Sequence, residues 1–153
     1  MNSIFENDKL VYLRVVVAGI LAAFFAGLIW FITVTVTKYE LGIISVLMGF
    51  AIGWAVNYGR GKTEVKPAYI IPIISVVLAL VCLFVSEYFI STYFVNQYLA
   101  ATGYQQISAF GEMSKMFNLV YLSLSTNPMT LLFWVISLYG AYKTSAGKNQ
   151  AAQ

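Results

Sequence analysis

From Val15 to Val36 the chain reads VVVAGILAAFFAGLIWFITVTV, 22 residues without a charged side chain. As helix this run is about 33 Å long, enough to cross the roughly 30 Å hydrocarbon core of a bilayer. A secretory leader has a shorter apolar core, about 7–15 residues, before a small-residue cleavage site. Here the run is followed by TKYE, so it is expected to stay in the mature chain as a membrane span.

Three further apolar segments follow the first. Leu41 to Tyr58 is again free of charge, behind a short connection flanked by Lys38 and Glu40. At about 27 Å as helix it just reaches across the hydrocarbon core, and the first two spans are expected to form a tight hairpin. A polar segment, Gly59–Ala68, carries Arg60, Lys62, Glu64 and Lys66. The third apolar run starts at Tyr69 and is placed over about 69–88, with Pro72 in its first turn, where a missing N–H costs little. Its helical pattern can continue through YFISTYFVNQYL and project beyond the bilayer, with Tyr88, Tyr93 and Tyr98 suited to the interface. The fourth, Met129–Tyr142, is short, about 21 Å, and is expected to gain length before Pro128 or to lie where the bilayer thins.

Between spans three and four, Phe110, Met113, Phe117, Val120, Tyr121 and Leu124 recur at three- and four-residue steps. That spacing predicts an amphipathic helix over about 107–124, lying on the membrane surface or capping the bundle. The tail from about residue 145 to 153 is expected to be disordered. The fold class is therefore all-α: one transmembrane domain over residues 1–153, a four-helix bundle with spans at about 15–37, 41–58, 69–88 and 129–142.

Composition agrees, with 60% hydrophobic and only 10% charged residues, against about a quarter charged in soluble domains. Basic residues orient the bundle. Lys9, Arg14, Arg60, Lys62, Lys66, Lys143 and Lys148 fall on one side of a four-span arrangement, and only Lys38 and Lys115 on the other. By the positive-inside rule, both termini are expected in the cytoplasm.

The tripeptide Gly61-Lys62-Thr63 ends like a nucleotide-binding P-loop, but Val56 stands where that motif needs its first glycine. The segment before it is an apolar helix rather than a strand, so no nucleotide is expected here. Arg60, Lys62 and Lys66 instead suit topology control or contact with lipid headgroups. Histidine is absent and Cys82 is the sole cysteine, which excludes intrachain disulfides, Cys/His zinc clusters and His-dependent triads. No catalytic, cofactor or metal site and no nucleic-acid partner is expected.

Small residues carry the clearest pattern. Gly19, Ala23 and Gly27 repeat at four-residue steps in the first span, and Gly49 and Gly53, with Gly42 seven residues earlier, do so in the second. In lipid such spacing lets helix backbones approach closely. We expect the first span to pack on the second within the chain, with contact between subunits as the alternative. Thr33, Thr37, Asn57 and Glu87 are the candidate lining of a polar pathway. Measured from Tyr69, Glu87 lies about 27 Å along its helix and is expected to be a solvated carboxylate near the outer interface.

YELGIISVLMGFAIGWAVNYGRGK (Tyr39–Lys62) and FWVISLYGAYKTS (Phe133–Ser145) resemble the second and last helices of a family of uncharacterised small bacterial four-helix membrane proteins. That resemblance implies a four-helix unit in a bacterial cytoplasmic (inner) membrane and supplies no activity. Two roles follow as expectations. The first is a non-enzymatic structural or assembly component, acting through contacts with lipids, with itself or with another membrane protein. The second is a small oligomeric channel or transporter.

Overall fold

The computed structural model describes residues 2–39, 42–62, 67, 69–108 and 113–147, with side chains from residue 9 onward and, after the gap at 109–112, from residue 115. The described residues form five α-helices: α1 (Asn2–Thr37), α2 (Gly42–Arg60), α3 (Ile70–Thr102), α4 (Met113–Thr126) and α5 (Pro128–Ala146). Three of them, over Lys9–Thr37, Gly42–Arg60 and Ile70–Thr102, are long and apolar enough to cross a membrane. The pair Lys115–Thr126 and Pro128–Ala146 passes the same test only when taken together, and is bent by 104° at the break between them.

The bend has a local cause. Pro128 occupies the first position of α5, and Asn127 before it leaves helical geometry at φ −129°, ψ 88°. Proline disfavours helical backbone in the residue before it, and its ring fits a first helical position, so the chain must turn here. Left-handed glycines end two other helices. Gly61 at φ 65° closes α2, and Gly103 at φ 77° closes α3 with its N–H on the carbonyl of Ala100. Such a backbone is easy for glycine alone.

α1, α2, α3 and α5 alternate in direction and form a bundle. Its corners run α1–α2–α5–α3, and α2 and α3 also meet across the short diagonal. α1 and α3 run parallel, as Ala23 against Cys82 and Phe31 against Tyr93 show. α2 and α5 run parallel to each other and opposite to that pair, with Gly42 at Phe133 and Gly53 at Ala141. The core is built around Trp30, Ile52, Val56, Ile71, Leu83 and Ile90, each at most 2% exposed.

Several element boundaries differ from the sequence expectation. α1 begins at Asn2, well before the expected span, while α3 runs to Thr102, as its continuing pattern allowed; neither flank contains a proline or glycine to interrupt the helix. α5 reaches Ala146, so Ser145 and Ala146, expected in a disordered tail, are helical. Ser145 is fully buried and bonds back to Ala141. α4 starts at Met113 rather than 107, and residues 104–108 are irregular. Of its expected apolar stripe, Val120 and Leu124 turn inward with Met116 and Leu119. Phe117 and Tyr121 instead stay 57% and 74% exposed. Phe110 and the side chain of Met113 lie outside the described residues.

Candidate functional site

The glycines come first, because they set the helix spacing. Gly49 faces the backbone carbonyl and hydroxyl of Ser137, and Gly53 faces Ala141 and Thr144. Gly42 lies against the ring of Phe133. All three therefore serve α2 against α5, not α2 against α1 as expected from the adjacency of the first two spans. Gly19 packs on Leu78 and Val56, and Gly27 on Ser86 and Cys82, so the first span's glycines face chiefly α3. Ala23 joins this seam by accepting a hydrogen bond from the Cys82 thiol at 3.1 Å. The α1–α2 contact uses a glycine the spacing did not single out, Gly59, against Arg14 and Val15.

Close approach lets buried hydroxyls bridge helices. Ser137 donates to the carbonyl of Ser45 at 2.7 Å, and Ser75 donates to that of Ala141 at 3.1 Å. Each acceptor also belongs to its own helix, so the bridge adds a bond without removing one from the backbone ladder.

The candidate pathway residues do not converge. Thr33 and Thr37 bond to carbonyls of their own helix, those of Ile29 and Thr33, at 2.8 and 2.7 Å. Asn57 sits near the opposite end of the bundle and accepts a bond from Arg60 at 2.7 Å. Arg60 also reaches Gly147 at the end of α5, where a cation complements the helix dipole. Lys62 is exposed, and Lys66 lies outside the described residues.

Glu87 is fully buried and accepts a hydrogen bond from Ser123 of α4. This corrects the expected solvated carboxylate. Gly27 of α1 stands against Ser86, which sets Glu87 about 13 Å inside Val36, the end of the α1 charge-free run. Counting from Tyr69 placed the outer interface near Glu87, whereas α3 runs packed in the bundle another 15 residues to Thr102 and α4 covers the carboxylate.

Two adjoining hollows follow the α1–α3 seam. The first is an almost wholly apolar groove of about 490 Å³, running from Ile20 and Leu78 to Phe31 and Phe89. The second, about 410 Å³, begins at the same Phe31 and Phe89 and is lined above them by Thr92, Tyr93, Asn96, Gln97 and Gln106. Lys38 stands beside it, its Nζ donating to Tyr93 Oη at 2.5 Å and lying 4.7 Å from the ring centroid.

Fold and site together define an all-α helical bundle with three candidate membrane-spanning helices, a buried carboxylate and a two-part groove. No family model, curated protein or solved structure matches the chain.

Proposed function

We propose that the protein is a non-enzymatic integral membrane protein that acts as a structural or assembly component, through helix contacts with itself or with another membrane protein. In this reading α1, α2, α3 and α5 are four spans in a bacterial cytoplasmic membrane, both termini are cytoplasmic, and α4 lies across the outer leaflet. The observation that carries it is how the interior hydroxyls are used. Ser75 and Ser137 hold helices together through backbone carbonyls, which supports a dry, packed interior rather than a lined passage. The outward faces keep large apolar side chains, including Phe24, Phe25, Leu28 and Ile29 on α1, that suit lipid or a partner helix.

The test is the assembly state. Crosslinking in intact cells, followed by mass measurement in native nanodiscs, is expected to find a defined homo-oligomer or one recurrent membrane partner. A strict monomer that captures no partner would sink the proposal.

Burial of Glu87 favours a second reading, a small channel or transporter, because an ionisable side chain inside a membrane is costly and marks proton or ion paths. Proteoliposomes decide between the two. The assembly reading expects no proton or cation flux. Flux abolished by Glu87→Ala and reduced by Thr33→Val would replace it.

A further inference from the structure

We propose that the α1–α3 groove is a binding site for one anionic glycerophospholipid, with an acyl chain in the apolar part and the phosphate head in the polar part beside Lys38. The inference rests on the membrane reading above, and it adds a specific ligand site to it.

The apolar part has the shape of a chain site. Ala23, Gly27, Cys82 and Ser86 line the groove where α1 and α3 are in direct contact, so these small side chains form a floor. Phe24, Leu28 and Phe31 on one helix and Val81, Val85 and Phe89 on the other form walls. Between Ile20 and Phe31 the groove is about 16 Å long, close to half of a roughly 30 Å hydrocarbon core. Its volume, about 490 Å³, falls within the roughly 300–1,000 Å³ of small-molecule sites.

The polar part begins where the apolar part stops, with Phe31 and Phe89 common to both. Polarity thus changes once along the groove, at the end level with the α1–α2 turn, as it does along a lipid molecule. Lys38 brings the charge. It is the single non-glycine residue at positive φ among the described residues, at 62°, a backbone that costs an L side chain about 1–2 kcal/mol. The side chain returns over Tyr93, which also accepts from Gln97 at 2.7 Å. One of the three ammonium protons is used on Tyr93, and among the described residues no carboxylate pairs with the charge.

A second observation points to a ligand independently. Thr92 lines the polar part and is 3% exposed, yet its hydroxyl has no hydrogen-bond partner. Thr33, Thr35 and Thr37 all bond back to their own helix, so a helical threonine need not go without. An ester or phosphate oxygen in the chamber would supply the acceptor. An apolar partner helix would fill the walls but leave Lys38 without an anion and Thr92 without an acceptor, whereas one anionic lipid supplies chain, charge and acceptor together, and we therefore assign the site to lipid.

The experiment uses the full chain in phosphatidylcholine vesicles containing a small fraction of phosphatidylglycerol with a photoactivatable acyl chain. Flotation with the vesicles and resistance to alkaline extraction check insertion separately, and a chain that does not insert would end the membrane reading together with this site. With insertion shown, adducts are expected to concentrate on Phe24, Val81 and Val85, over Leu47 and Val135 elsewhere, which are about as exposed as Phe24 and Val81 and more exposed than Val85. Unlabelled phosphatidylglycerol should displace them and phosphatidylcholine should not. Val85→Trp, which fills the groove from its rim, should cut the adducts several-fold. Lys38→Gln should lower the preference for phosphatidylglycerol about fivefold, the worth of one basic side chain at an anionic surface. Thr92→Val should weaken binding while leaving thermal stability equal or higher, since it replaces an unpartnered buried hydroxyl by a methyl group. Adducts that merely follow exposure, equal competition by phosphatidylcholine, or disulfide pairing of two Val85→Cys copies across the groove would each overturn the proposal.

Discussion

Gly49 and Gly27 are the same residue type in similar sequence settings, yet they differ in what an added methyl group would meet. At Gly49 it would strike the backbone carbonyl of Ser137, which cannot move without shifting α5. At Gly27 it would meet the Ser86 hydroxyl at 2.8 Å, the end of a side chain that can rotate. Gly49→Ala is therefore expected to cost about 1–3 kcal/mol, the usual range for overpacking, and Gly27→Ala clearly less. Thermal unfolding in detergent, followed by circular dichroism, checks the ranking, and equal losses would show that α2 and α5 are not in close backbone contact. The residue types at both positions could be read from the sequence as packing residues. Which neighbour each one meets could not, because four-residue spacing names a face and not a partner.

At the scale of elements, the chain beyond α3 shows how a long helix hands over to a short one. α3 ends at Gly103, and the irregular segment then doubles back along the helix it has just left. Asn96 anchors it by accepting from the N–H of Ile107 at 2.7 Å and donating to its carbonyl at 2.8 Å. This pair of bonds gives a non-repetitive segment the partners its backbone requires. From there α4 packs across α3, with Phe117 5.2 Å from Phe84 between ring centroids and Ser123 on Glu87. Asn96→Ala is expected to release the return segment without unfolding α3. Hydrogen–deuterium exchange should then speed up about fivefold or more over residues 104–108, given two bonds at about 0.5–1.5 kcal/mol each, with residues 80–90 unchanged. Unaltered exchange at Ile107 would mean that other contacts hold the segment.

For the whole molecule, the parallel pairing of α1 with α3 and of α2 with α5 brings Lys9, Arg60, Lys62 and Lys143 to one end of the bundle and Lys38 to the other. The membrane reading makes the first end cytoplasmic. In a Cys82→Ser background, Lys62→Cys and Lys143→Cys are expected to react with a membrane-impermeant maleimide only after cell lysis. Tyr104→Cys, 70% exposed near the other end, should react in intact cells. The opposite pattern would invert the orientation, and a mixed pattern would reduce the number of spans.

The sequence by itself determined the chain's helical class, the places of its apolar segments and the turn at Pro128, because each rests on a local cost. A charge resists leaving water wherever it stands, glycine admits a left-handed turn on its own, and proline restricts the residue directly before it. The tertiary structure decided three things: that the α2 glycines serve α5, that Glu87 is buried under α4, and that an apolar groove meets a polar chamber at Phe31 and Phe89. Each depends on the register between helices far apart in the chain. For helices that are apolar all round, hydrophobic periodicity cannot announce which side faces inward, since lipid accepts an apolar side chain as readily as a protein core does. Only the fit of small residues against particular neighbours selects the inward face, and that fit exists only once the helices have been assembled.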